Sequence, residues 1–417
     1  MSAFLFVVPP LVGHINPTVG VAAELTARGH RVAWACADPG LVRRLAGAEA
    51  DVFPCDGIAG VERPPDLRGP EALKFLWEGY LVPLADAMAP GVRSAAQDFR
   101  PDVVVADQQA FAGALVAECL RLRWATSATT SAEFTGAYDG MPRVAAWLRE
   151  RMTELRGRIG DPSGTADPRF SPHLVLAFTT PELVGPTGEN GEAIRYVGPS
   201  IADRPAEPGF PWEWLDPGRA KVLVTLGTAN ADAGGRFLAE CLTALRERAG
   251  RVQAVLVDPG GTLAAAAAAA AAADNDNDND NDNDVLILPV VPQLPLLAKA
   301  DAVICHAGHN TVCEALWHGV PLVVAPIRDD QPVVAAQVVD AGAGIRVRFG
   351  RVTAPGLGAA LDTVLREPAH REAAARLRTA FRAAGGARAA ATHLERLGAS
   401  REHDRPGADE PGAGRQP

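Results

Sequence analysis

The residues with the clearest chemical potential lie in the run VICHAGHNTVCEALWHGVPLVVAPIRDDQ, which begins at Val303. His306, Gly308, Asn310 and Thr311 occupy a turn of small residues between an apolar strand at 302–305 and a helix expected from Asn310. Backbone N–H groups at a helix start are unpaired and carry the positive end of the helix dipole. Such a turn grips an anion, and a diphosphate suits it without any lysine. Ala307 and Gly308 let the backbone come close to the ligand. Glu314 follows Thr311 and Asn310 by three and four residues on the same helix face, where a carboxylate can accept both hydroxyls of a ribose. The competing account is capping, with Asn310 and Thr311 satisfying first-turn donors and Glu314 as a surface charge.

His14 follows the first apolar run, 3–9, just before a helix expected from Ile15. A helix start opposes protonation and favours a neutral imidazole able to take a proton. Such a base needs an acceptor on its other ring nitrogen, normally a carboxylate. Asp107 ends the strand expected at 102–106 and so shares the carboxyl edge of the same sheet, although an N-cap there would be equally natural. His30, His173 and His318 read as structural. No His/Cys/Asp/Glu cluster has metal-ligand spacing, so no metal or other cofactor is expected. Neither a Gly-x-Ser-x-Gly hydrolase elbow nor a G-x-G-x-x-G after the first strand is present.

These groups need a scaffold that presents loops at strand ends. Apolar runs at 30–36, 102–106, 124–129 and 174–178 alternate with helical spacing at 15–28 and 111–121. A second series has strands at 221–226, 252–257, 285–288, 302–305, 321–326 and 344–348, with helices at 233–248, 295–299, 310–317 and 333–341 and late helical segments over 355–397. This alternation is βαβ logic and predicts parallel sheets. The fold class expected is α/β, with two doubly wound Rossmann-like lobes facing across a cleft. Residues 1–198 form the first lobe, 199–218 a Pro- and Gly-rich linker holding Trp212 and Trp214, and 219–399 the second lobe. The length of 417 residues agrees, exceeding what one core serves.

The formal net charge of −10, with no basic cluster, excludes nucleic acid as a partner. Six cysteines without a CxxC pair read as small buried hydrophobes in a reducing compartment. No apolar run is long enough to span a membrane and no basic leader opens the chain, so a cytoplasmic location is expected. Residues 264–273 are all alanine and 274–284 alternate Asp with Asn, an insert expected to be solvated loop. Its oxygens lack the Gly turn and terminal Glu of a calcium loop. The tail 400–417 is expected to be disordered.

The spacing of HAGHNT, Glu314, Gly319-Val320-Pro321 and Asp330-Gln331, preceded by Val291-Pro292-Gln293, resembles the donor signature of UDP-glycosyltransferases with the two-lobed GT-B fold. The resemblance extends to PLVGHINP near the start, VTLGT ending at Thr228 and the Tyr196-Val197-Gly198-Pro199 junction, and bacterial macrolide and antibiotic glycosyltransferases look most similar. It implies that Thr228, His306, Gly308, Asn310 and Thr311 hold a donor diphosphate and Glu314 the ribose. Val291 and Gln293 would meet the base, Asp330 and Gln331 the transferred sugar. His14 would be the general base and Asp107 its partner. Val290 and His309 stand where many members carry tryptophan, and Val334 where asparagine is usual. Uridine and thymidine therefore both stay open as the base.

The function so implied is inverting transfer of a hexose from a UDP- or TDP-sugar to a hydroxyl of a lipophilic natural-product aglycone. Aromatic and aliphatic residues of 57–91 and 132–164, namely Phe75, Trp77, Tyr80, Leu84, Phe134, Tyr138, Met141 and Trp147, could line the acceptor pocket or simply fill a core. Two other readings stand beside it: a nucleotide-sugar epimerase on the same fold, and a non-catalytic glycosyltransferase-like partner protein, against which His14 and Asp107 argue. A homodimer is left open.

Overall fold

Strands buried on both faces read as continuous apolar runs, and here such runs pair only in parallel among the described residues. The structure, a computed structural model, describes residues 1–61, 63–64, 67–137, 140–185, 193–202, 204, 208–227, 234–263 and 284–399. Its first sheet contains β1 (Ala3–Val7), β2 (Arg31–Cys36), β3 (Val52–Pro54), β4 (Val103–Asp107), β5 (Arg123–Ala128), β6 (Val175–Ala177) and β7 (Ile194–Tyr196). Its second contains β8 (Ala220–Thr225), β9 (Val252–Val257), β10 (Val285–Leu288), β11 (Ala302–Cys305), β12 (Leu322–Val324) and β13 (Gly344–Arg346).

Strand order runs β3-β2-β1-β4-β5-β6-β7 in one lobe and β10-β9-β8-β11-β12-β13 in the other. Both sheets are therefore doubly wound, as the alternating pattern predicts. The order reverses between β1 and β4 in the first lobe and between β8 and β11 in the second. Loops leaving these neighbouring strands diverge to opposite faces and open a crevice beyond the carboxyl ends. His14 follows β1 and Asp107 ends β4, while Gly227 follows β8 and His306 follows β11. The two candidate constellations thus occupy the two switch points. The edge strands β3 and β7, three residues each, are too short to show a period in the sequence.

The late helical stretch is three helices, Ala354–Arg366, Pro368–Ala384 and Gly386–Ala399. Pro368 starts the second, and Gly385 and Gly386, at φ +90° and +56°, turn the chain into the third. That last helix leaves the second lobe. Ala390, Ala391 and Leu394 pack with Phe4, Ile15 and Val21 of the first, and Glu395 takes hydrogen bonds from Arg28 at 2.7 Å and His30 at 2.8 Å. The second lobe expected over 219–399 thus gives up its final helix to the first, because the buried face of that helix complements the helix Val12–Ala27. His30 is structural, as expected, also accepting the Ser2 N–H.

In the linker, Gln253 of β9 donates to the Trp214 carbonyl at 2.9 Å and accepts the Asp216 N–H at 2.6 Å. All six cysteines are unpaired, and five are buried. No helix among the described residues is long and apolar enough to cross a membrane. Residues 264–283 and 400–417, like Thr228 and Tyr138, lie outside the described residues. Asp284, read as the end of the insert, is instead tied down by Arg219 and by the Gly250 N–H.

Candidate active site

The helix after β11 spans His309–Trp317 and starts one residue before the expected Asn310, with Gly308 as an extended N-cap. Ala307 adopts φ +65° to make the turn. A Cβ on Gly308 would overlap the His306 imidazole, and one on Gly227 would crowd the same ring. Both glycines are therefore required by the histidine between them. Burial lowers the His306 pKa to about 4, with the Thr225 backbone opposing and Arg328 adding, so the ring is neutral near pH 7, and its buried Nδ1 makes no hydrogen bond of full geometry among the described residues. A buried polar atom left this way is a ready contact for a ligand.

The capping account fails on geometry. Gly308 at the N-cap has no side chain to cap with, and Asn310 donates its amide instead to the backbone carbonyl of Gly13 in the other lobe. Nor is Glu314 a surface charge. It is buried, with Arg204 on Oε1 and Gln293 donating to Oε2 at 2.6 Å. Burial raises the Glu314 pKa against the pull of Arg204 and Gln293. Gln293, expected at the base, is thus joined to the carboxylate expected at the ribose, while Val291 packs against a hydrophobic cluster that draws on both lobes. Thr311 is buried on the same helix.

His14 is the third residue of the helix Val12–Ala27, inside it rather than before it. Its Nδ1 lies 2.9 Å from Asp107 Oδ1 and 2.8 Å from Thr129 Oγ1. Asp107 also accepts the Gln109 N–H at 2.8 Å and the Thr129 hydroxyl at 2.9 Å. Asp107 is therefore partnered as expected, its N-cap-like bond to Gln109 being an addition and not an alternative. The electrostatics differ from the helix-start expectation. Burial pulls the imidazole down, but Asp107's charge and hydrogen bond, then Asp330 and Glu133, outweigh it, so its pKa ends above the ordinary 6.5. Local carboxylates beat a partial dipole charge at this range.

Across the cleft, the turn after β12 presents Asp329, Asp330 and Gln331. Gln331 Oε1 accepts the Ile327 and Arg328 N–H groups at 2.8 and 3.1 Å, which folds the turn and commits the side-chain oxygen to it. Asp330 accepts the Thr130 hydroxyl. Burial raises the Asp330 pKa, with Thr130 and His14 opposing and Asp329 adding. Ser131 donates to Gln337 at 2.7 Å, and Arg63 forks onto Asp329 at 2.6 and 2.7 Å. The lobes therefore meet directly around His14, and a crevice lined by Asn16, Ser200, Arg204 and Glu314 has room for about one water.

Thr129, Thr130, Ser131, Arg63 and Arg204 escaped the sequence reading. The hydroxyl run Thr129-Thr130-Ser131 was findable, because it leaves β5, the strand beside β4. Arg63 and Arg204 sit in irregular segments whose partners are over 100 residues away.

Residues 274–383 match the family model described as UDP-glucoronosyl and UDP-glucosyl transferase. The chain is 31% identical over 420 residues to the demethyllactenocin mycarosyltransferase of Streptomyces fradiae, covering 95% of this chain and 87% of that one. The chain belongs to this glycosyltransferase family. It is also similar to the 4'-demethylrebeccamycin synthase of Lentzea aerocolonigenes, at 29% identity over 89% of this chain and 93% of that one. A solved glycosyltransferase of kitacinnamycin superposes with a TM-score of 0.75 at 25% identity, over 95% of this chain and 98% of that one. The GT-B architecture of the glycosyltransferase follows from the sheet order and this likeness together.

In the first lobe of the glycosyltransferase, Trp77, Leu84 and Phe134 are core residues, Trp77 stacking on Phe111 at 5.2 Å. Met141 is 52% exposed, and Phe75, Tyr80 and Trp147 are half-buried. The set expected to line one pocket is thus split between core and surface. Glu133, buried beside Arg169 at 3.5 Å, has its pKa pushed up to about 7 by burial, with Arg169 opposing and Asp167, Asp107 and Asp330 adding.

Proposed function

We propose that this glycosyltransferase moves a hexose from a UDP- or TDP-sugar to a hydroxyl of a lipophilic natural-product aglycone, inverting the anomeric centre in a single displacement. His14 takes the acceptor proton through Nε2 while Asp107 holds Nδ1. The nucleoside diphosphate leaves into the turn at His306, Gly308, Asn310 and Thr311, with Thr228 completing it and Glu314 holding the ribose. Asp330 and the Gln331 amide face the sugar. Residues 1–198 supply the acceptor side and the lobe beginning at 219 the donor side.

The observation that carries this reading is the Asn310 to Gly13 hydrogen bond. It joins the helix start of the anion turn to the residue next to the candidate base, so a sugar between them would have base and leaving group in reach. The relatives named for demethyllactenocin and rebeccamycin chemistry support a natural-product acceptor. The helix start at Gly308, whose N-cap residue has no side chain, would supply the positive end for the leaving diphosphate, and we propose that no metal is needed; turnover unchanged by EDTA would agree.

Incubating the protein with UDP-glucose and TDP-sugars, first alone and then with a panel of lipophilic aglycones, tests the reading. Sugar on an aglycone, with inverted configuration by NMR, is expected. A retained configuration would overturn single displacement, and conversion of donor alone would favour an epimerase.

A further inference from the structure

We infer that Thr129 is a positioning residue that sets the tautomer and orientation of His14. The inference rests on the base role proposed for His14 and concerns a residue outside the donor signature.

Thr129 is buried directly after β5. Its Oγ1 lies 2.9 Å from Asp107 Oδ2 and 2.8 Å from His14 Nδ1. Asp107 Oδ1 lies 2.9 Å from the same Nδ1 and 2.8 Å from the Gln109 amide nitrogen. These contacts close a ring of imidazole, carboxylate and hydroxyl, and a hydroxyl has only one proton to give.

Two proton assignments are available. In the first, Thr129 donates to Asp107 Oδ2, and the Nδ1–H of His14 is shared between Asp107 Oδ1 and Thr129 Oγ1. Every contact then has a donor, and Nε2 carries the lone pair that a base requires. In the second, Thr129 donates to a bare Nδ1. Asp107 Oδ2 then faces the Thr129 oxygen, and Oδ1 faces the Nδ1 lone pair, each near 2.9 Å with no proton between. Two repulsive contacts in a buried site make the second assignment the costlier one.

Thr129 therefore acts on both partners. Its proton fixes the plane of the Asp107 carboxylate, and its oxygen offers a second acceptor to Nδ1–H. Gln109 holds the other carboxylate oxygen from the backbone, so Thr129 is the side chain on which the orientation depends.

Thr129→Val keeps the shape and removes both bonds, while Thr129→Ser keeps them. In Thr129→Val, kcat should fall about 10-fold or more with the donor KM unchanged, since tautomer control is one part of a base's effect. Thr129→Ser should restore kcat. Nitrogen-15 NMR of histidine-labelled protein should show His14 as the Nδ1–H form in the wild type and as a mixture in Thr129→Val. Unchanged kcat and tautomer in Thr129→Val would overturn the inference, as would a raised donor KM with normal kcat, which would make Thr129 a sugar contact. His14→Ala is the separate control. If it still turns over normally, the base reading fails; if it is inactive while Thr129→Val is normal, only the present inference fails.

Discussion

Asn310, in the first turn of the helix after β11, donates its side-chain amide to the backbone carbonyl of Gly13, the residue preceding His14. One hydrogen bond thus couples the switch points of two sheets that share no strand pairing. In the proposed donor site the same amide would serve a phosphate, a use that would draw it from Gly13. Asn310→Ala is expected to weaken binding of UDP or TDP about 10-fold, as loss of a hydrogen bond to a charged group would. Calorimetric titration checks this, and unchanged affinity would confine Asn310 to holding the lobes together.

His14→Ala should bind donor normally and lose transfer by roughly 10² to 10⁴. The pH dependence is more specific. As the proposed base, the imidazole would act only when unprotonated, and although burial lowers its pKa the nearby carboxylates carry it above 6.5, so kcat/KM should fall as pH drops through a value above 6.5. Asp107→Asn removes the largest of the raising influences. Its acid limb should therefore move to lower pH while the plateau drops. An acid limb unmoved in Asp107→Asn would mean that another group titrates.

How much of this was legible follows from which residues have local causes. The His306 turn was readable because a strand, small residues and a helix start are contiguous in the sequence, so its geometry needs little from elsewhere. The His14 and Asp107 pairing was readable because the strand pattern puts both at one sheet edge. The direction of the His14 pKa shift was not, since it is a balance of burial, which lowers it, against Asp107, with Asp330 and Glu133 adding, and only folding sets that burial and brings the last two near. Gln331 shows the same limit: its side-chain oxygen is spent on its own turn, which spacing alone cannot reveal. The first-lobe aromatic residues could not be divided between pocket and core for another reason. Aromatic content marks buried surface, and Trp77 is buried in a core with Phe111, so composition cannot separate a pocket wall from packing.

Gly308→Ala tests whether the turn depends on close approach. The added methyl would meet the His306 ring, forcing the imidazole or the helix start to shift. Overpacking of this kind costs roughly 1 to 3 kcal/mol, and donor binding should be lost while the fold persists. Circular dichroism with nucleotide titration separates the two, and normal nucleotide affinity would refute the requirement.

The C-terminal helix offers a stability test away from the site. The His30 hydrogen bond lowers the Glu395 pKa most, burial opposes it, and Arg28 adds to the lowering. A carboxyl more acidic in the folded chain stabilises it above the unfolded value, and this is lost as pH falls through the folded value. Glu395 is 31% exposed, which limits the effect. Glu395→Gln should cost about 1 kcal/mol near neutral pH, the upper range for exposed pairs, and nothing once both pKa values are passed on acidification. Urea unfolding at several pH values reads it, and a pH-independent loss would assign the effect to packing.

Glu314 is the carboxylate proposed for the ribose, and both its oxygens are already engaged, by Arg204 and by Gln293 at 2.6 Å. A ribose must therefore compete with Arg204 or share the carboxylate with it. Glu314→Gln keeps the side chain's size, removes its charge and replaces one acceptor with a donor facing Arg204. Donor KM should rise about 10-fold, the worth of a charged hydrogen bond. In the proposed donor pose the ribose would lie away from the reacting centre and be bound equally in ground and transition states, so kcat at saturating donor should change little. A fall in kcat with unchanged KM would instead mean that Glu314, through Arg204 and the linker, governs how the lobes close.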